Sequence, residues 1–125
     1  MKRVLVASPL VFVLALACAS GGQSSGRTAP SRDVITAEEV ADASLSTQSA
    51  YDVVQRLRPR WLRSRGGGTA GLPMLVINNI PSGDLERLRS IAAIDVSEIR
   101  FISSQDATTR WGTGFVGGAI EVVMR

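Results

Sequence analysis

The chain has 125 residues, of which 45% are hydrophobic, 20% are charged and 5% are aromatic. This length and composition indicate one globular domain with an added apolar segment, and they exclude a disordered or collagen-like chain. The chain has no histidine and a single cysteine, which excludes zinc sites, disulfide frameworks and His-dependent catalytic triads within it. The formal net charge is +3.

The first residues have the pattern of an export signal. Lys2 and Arg3 precede an apolar run from Val4 to Ala17 that ends in small residues, as in a cleavable signal peptide. The run is shorter than the roughly 20 residues that a transmembrane helix needs, so an uncleaved anchor is the less favoured interpretation. We predict a signal peptide over residues 1–17.

The cysteine stands at the end of this run. The segment Leu14-Ala15-Leu16-Ala17-Cys18 resembles a bacterial lipobox, which implies that the Cys18 thiol receives a diacylglyceryl group and that cleavage makes Cys18 the new N-terminus. Ala15-Leu16-Ala17 also fits the pattern of ordinary secretory cleavage, and a soluble exported protein is therefore the alternative. Lipid attachment at Cys18 is favoured because a lone cysteine in an exported chain needs an explanation.

The next segment, residues 18–32, is rich in Gly and Ser and has no apolar periodicity. This composition is typical of a flexible tether. Removal of residues 1–17 leaves a net charge near +1, so the basic character of the whole chain belongs mostly to the signal. Residues 33–125 are predicted to form one domain, whose small core leaves little room for a deep pocket.

Two helices are predicted at the start of this domain. Thr36 and Glu39 have the spacing of a capping box, which predicts a short helix over 36–43. A second helix is predicted over 49–62, and Pro59 should end or kink it near residue 58. Its apolar residues form one stripe: Tyr51, Val54, Leu57 and Trp61.

The sequence of the second half of the domain predicts three strands. Met74–Ile77 is a continuous apolar run, Val96–Ser103 alternates, and Ala119–Met124 places apolar residues on one side. Between them we predict a turn at Asn78-Asn79, a short helix over 83–91 capped by Ser82, and a helical turn over 105–110. The glycine-rich segment 63–73 is predicted to be a loop. The expected fold is α+β, with a small mixed sheet of about three core strands.

Two kinds of motif that could indicate a nucleotide-binding or catalytic site are better explained by structural roles. Gly112 to Gly117 fits G-x-G-x-x-G, but a dinucleotide site needs a strand before the motif and a helix after it, and here a strand follows. The acid pairs Asp84/Glu86 and Asp95/Glu98 have no nucleophile or metal set beside them. We predict no catalytic, cofactor-binding or metal site, and hence a protein that is not an enzyme.

Five arginines surround Trp61 in one segment, and they are the predicted interaction surface: Arg56, Arg58, Arg60, Arg63 and Arg65. Basic residues interleaved with an aromatic residue can bind single-stranded nucleic acid, but export from the cytoplasm argues against that partner. Anionic lipid headgroups are a more plausible one. A solvated helix face with Trp61 in the core is the simplest alternative.

Four segments of the second half have the order and spacing of a known domain. Leu72–Ile80, Asp95–Ile102, Asp106–Gly112 and Gly117–Arg125, preceded by the helix from Ala50, resemble the plug domain of TonB-dependent outer-membrane receptors. The chain departs from the family in having Asn78-Asn79 in place of Asp-Gly, in a faint TonB box at residues 33–37, and in ending where the barrel would begin.

This resemblance implies a mixed sheet with short flanking helices. In full receptors the domain fills a large β-barrel and gates the uptake of siderophores, cobalamin or glycans, but 125 residues cannot form such a pore. We expect a plug-like lipoprotein on the periplasmic face of the outer membrane that binds an envelope partner, with its edge strands as one means of contact. The alternatives are a TonB-dependent uptake component that works with a separately encoded barrel, an orphan structural domain, and a small hydrolase.

Overall fold

The computed structural model describes residues 31–66 and 68–125. The predicted signal peptide, Cys18 and most of the predicted tether lie outside these residues. The strands are β1 (Val34–Thr36), β2 (Met74–Ile77), β3 (Ile80–Gly83), β4 (Val96–Ile102) and β5 (Ala119–Met124). They form one sheet in the order β1-β4-β5-β2-β3, in which β2 and β5 are parallel and the other pairs antiparallel. The α+β class and the mixed sheet are confirmed, and the sheet is larger than the three strands predicted.

Three short α-helices and four 3₁₀ turns flank the sheet. The helices are α1 (Ala37–Asp42), α2 (Ala50–Leu57) and α3 (Ser104–Trp111), and the 3₁₀ turns are Pro59–Leu62, Gly68–Gly71, Leu85–Ser90 and Ala93–Asp95. The Thr36 hydroxyl accepts a hydrogen bond from the Glu39 amide, which confirms the predicted N-cap of α1. The helix predicted over 49–62 ends at Leu57, and Pro59 opens a 3₁₀ turn instead, because proline cannot donate the next helical hydrogen bond.

The two additional strands lie at the edges of the sheet. The helix predicted over 83–91 is wrong in its start and in its Ser82 cap, because Ile80–Gly83 pairs with β2 as β3. The turn that follows is 3₁₀ over Leu85–Ser90 and has no side-chain cap. Asn78 and Asn79 have φ angles of 47° and 67°, which suits a two-residue hairpin turn. The turn predicted at this pair is confirmed, and it reverses the chain into a strand.

The larger hydrophobic core lies between one face of the sheet and the helices α1 and α2. A bulge between Val96 and Glu98 interrupts the alternation predicted for β4, so that Val96 and Ile99 both enter this core. Its buried members are Ile35, Val40, Leu45, Ala50, Val53, Val54, Trp61, Leu75, Leu88, Ala93, Val96, Ile99, Ile120 and Val122.

The opposite face of the sheet is covered only in part. A second, smaller core packs beneath α3, and its buried members are Val76, Ala107, Phe115 and Ala119. Towards β1 the same face carries Glu98, Arg100 and Glu121, with Arg100 directly opposite Glu121 in the ladder. Arg100 pairs with Glu98, and that hydrogen bond raises the pKa of Arg100.

Candidate functional site

A partly open cleft of about 560 Å³ lies between α2, the segment before β2 and the 3₁₀ turn Leu85–Ser90. Most of its lining residues are apolar, among them Tyr51, Leu62, Leu72 and Leu85, although nearly half of the exposed lining surface is polar. The charged groups of the lining are the carboxylates Asp84 and Glu86. Concave, mainly apolar sites with a few polar groups are typical of ligand pockets, so the cleft is a candidate binding site.

One of the two carboxylates is already engaged. The Nε of Arg89 donates a hydrogen bond of 2.8 Å to Glu86 Oε2, and the guanidinium carbon lies 3.7 Å from the centroid of the Tyr51 ring. The hydrogen bond with Glu86 raises the pKa of Arg89. The Glu86 carboxylate is therefore paired with Arg89. In contrast, none of the ion pairs among the described residues includes Asp84.

Close backbone approach holds one wall of the cleft in place. A Cβ on Gly117 would lie 2.2 Å from the Gly71 carbonyl oxygen and 2.5 Å from the backbone of Leu72. Only glycine at position 117 therefore allows these two backbone segments to pack so closely. The Gly71 carbonyl also accepts a hydrogen bond of 2.8 Å from the Arg65 amide. The glycine that completes the G-x-G-x-x-G pattern thus packs against the cleft wall, and strand β5 follows it.

The structure separates Arg58 from the other arginines of the predicted interaction surface. Its Nη2 lies 2.8 Å from the Glu39 carboxylate, and the side chain of Arg58 is only 15% exposed. The same nitrogen donates to the carbonyl oxygens of Ser31 at 2.8 Å and Val34 at 3.4 Å. Arg58 therefore connects the start of the domain to the end of α2, and little of its side chain is left exposed to a partner.

The other four arginines are exposed: Arg56, Arg60, Arg63 and Arg65. Trp61 points the other way and is only 4% exposed, in the core as the simplest sequence interpretation had it. The guanidinium of Arg65 lies 4.1 Å from the centroid of the Phe101 ring. None of the ion pairs among the described residues includes these four arginines.

At both edges of the sheet, some backbone groups are already engaged or missing. At β1, Arg58 reaches the Val34 carbonyl. At β3, Pro81 has no N–H, and the Ser82 carbonyl accepts a hydrogen bond of 2.7 Å from Arg87. Charged side chains and proline at an edge are the usual means of preventing strand addition. Side-chain surfaces are therefore better candidates for contact than the edge strands proposed from the sequence.

The described part of the chain contains no group of three potential metal-ligating side chains. Within the same residues, every helix is too short or too polar to traverse a bilayer. No family model matches the chain, and no curated protein or solved structure matches it either.

Proposed function

We propose that the protein is a non-enzymatic lipoprotein of the cell envelope whose folded domain is a binding module. It is attached through Cys18 to the periplasmic face of the outer membrane. The lipobox-like segment that ends at Cys18 supports the attachment. The four plug-like segments support a domain related to the plug of TonB-dependent receptors, and a mixed sheet with short helices is compatible with that relation.

The observation that carries the binding role is the cleft beside Tyr51. Its apolar walls would lose contact with water when a partner side chain enters, which favours association. Asp84 gives the cleft a negative charge at one side. The partner that fits best is an outer-membrane protein that presents an apolar side chain next to a basic one, with the basic group placed against Asp84.

The test is to fill the cleft without disturbing the core. Ala70 is an exposed residue of the lining, so Ala70→Trp should place an indole in the cleft. Ile94 is 60% exposed and is not part of the lining, which makes Ile94→Trp the matched control. Each full-length mature protein is immobilised and incubated with an outer-membrane extract, and the recovered proteins are quantified by mass spectrometry.

We expect the wild type and Ile94→Trp to recover the same envelope protein in similar amounts. Recovery by Ala70→Trp should fall at least about tenfold, since blocking a central pocket removes the largest contribution to an interface. A barrel receptor as the recovered partner would assign the module to TonB-dependent uptake. Equal recovery by all three proteins, or no envelope partner at all, would contradict the binding role and leave an orphan structural domain.

A further inference from the structure

The exposed arginines lie where the N-terminal segment joins the folded domain. The carbonyl oxygen of Ser31, the first described residue, is 2.8 Å from Nη2 of Arg58. Arg58 is two residues from Arg56 and two residues from Arg60 in the chain. The segment that connects Cys18 to the domain therefore ends beside these arginines.

Three exposed arginines flank Arg58 in the sequence, and we call them the arginine surface: Arg56, Arg60 and Arg63. Arg60 belongs to the 3₁₀ turn Pro59–Leu62, and Arg63 follows the turn directly with an extended backbone. Trp61 occupies the inward side. The chain has no acidic residue between Asp52 and Asp84, and the neighbouring Glu39 is engaged with Arg58. The charge of the arginine surface is thus available to a partner.

We propose that the arginine surface docks on the anionic phospholipid headgroups of the membrane that holds the lipid anchor. This proposal rests on the attachment at Cys18 in the proposed function. Ser31 lies only 13 residues after Cys18 in the sequence. An anchor on so short a chain holds the Ser31 side of the domain, and with it the arginine surface, close to the bilayer.

The chemistry of the two partners is complementary. Guanidinium groups bind phosphate oxygens through paired hydrogen bonds, and they are less strongly hydrated than ammonium groups. A basic patch is also the common second signal beside a lipid chain. Because the anchor raises the local concentration of headgroups to about the millimolar range, weak individual contacts suffice. Docking would fix the orientation of the domain and leave its cleft in a constant position relative to the membrane.

The experiment measures vesicle binding by residues 18–125 carrying Cys18→Ser, a chain that cannot be lipidated and lacks the apolar signal peptide. Vesicles of phosphatidylcholine are compared with vesicles that also contain about one third phosphatidylglycerol, at low salt. The test variant is Arg60→Gln/Arg63→Gln. The control is Arg110→Gln/Arg125→Gln, which removes the same charge from two other exposed positions. Circular dichroism verifies that both variants are folded.

We expect binding to the phosphatidylglycerol vesicles and none to phosphatidylcholine alone. Each arginine near an anionic surface contributes about fivefold to affinity, so the test variant, which lacks two, should bind about twenty-five-fold more weakly. The control should stay within about twofold of the unsubstituted chain. Equal losses in both variants, or equal binding to both kinds of vesicle, would overturn the proposal.

Different measurements test the lipid anchor and the docking surface: the mass of the protein tests the anchor, and vesicle binding tests the docking. A lipidated Cys18 in wild-type protein, combined with no preference for phosphatidylglycerol vesicles, would refute the docking and leave the proposed function intact. An unmodified Cys18, combined with the expected vesicle binding, would refute the anchor and retain the docking surface.

Discussion

The two faces of the sheet differ in how completely helices cover them and in which surfaces the covering elements present. Helices α1 and α2 enclose one face, and residues such as Ile35, Leu75 and Ile120 are fully buried there. The other face has α3 over part of its width and a pair of charged residues, Glu98 and Arg100, beyond it. Tyr51 and Leu62 of the cleft and the arginine surface belong to the layer that covers the first face. Stability and recognition therefore depend on the same elements, and the substitutions below are chosen to separate the two.

The largest expected loss of stability is found by comparing substitutions at two neighbouring residues of β2 that face opposite sides of the sheet. Leu75 is completely buried in the larger core, whereas Met74 is partly buried against the smaller one. Leu75→Ala should lower the free energy of unfolding by about 3 kcal/mol, because it removes buried methyl groups and leaves a cavity. Met74→Ala should cost about 1 kcal/mol. Urea denaturation of the full chain measures both values, and equal losses would show that the two faces contribute alike.

An intermediate effect is expected at the contact that fixes α1 over the first face. Arg58→Gln removes the ion pair with Glu39 and the hydrogen bond to the Ser31 carbonyl. We expect a loss of about 2 kcal/mol in the free energy of unfolding, because a partly buried carboxylate loses its charged partner. In a double-mutant cycle with Glu39→Gln the losses should not add. Additive losses would mean that the two side chains act independently.

The smallest effect is expected two residues away, at Arg60. This side chain is exposed and is absent from the ion pairs of the described residues, so Arg60→Gln should change the free energy of unfolding by less than about 0.5 kcal/mol. The same urea titration measures it beside Arg58→Gln. A loss as large as that of Arg58→Gln would place Arg60 in the framework of the domain and weaken the case for an arginine surface.

Much of the fold follows from local patterns in the sequence. Thr36 marks the start of α1, Pro59 marks the end of α2, and the apolar run Met74–Ile77 is strand β2. The edge strands β1 and β3 were missed because they are short, and because Pro81 argues against a strand unless it lies at an edge. The bulge between Val96 and Glu98 was missed as well, since a register shift depends on pairing with another strand.

The site was less accessible to sequence reasoning than the fold. The segment rich in arginine was visible, but only the position of Glu39 and Ser31 in space distinguishes Arg58 from its neighbours. The cleft could not be predicted, because its walls come from segments that the fold alone brings together, such as those of Tyr51 and Leu85. The Asp84/Glu86 pair was visible in the sequence, but nothing in its neighbourhood indicates a cleft.

The attachment through Cys18 is the claim on which the account of the function depends, and the intact mass of the wild-type protein from a membrane fraction tests it directly. We expect a chain that begins at Cys18 and carries the added mass of a diacylglyceryl group and its acyl chains. A chain with an unmodified cysteine, recovered from the soluble periplasmic fraction, would contradict it.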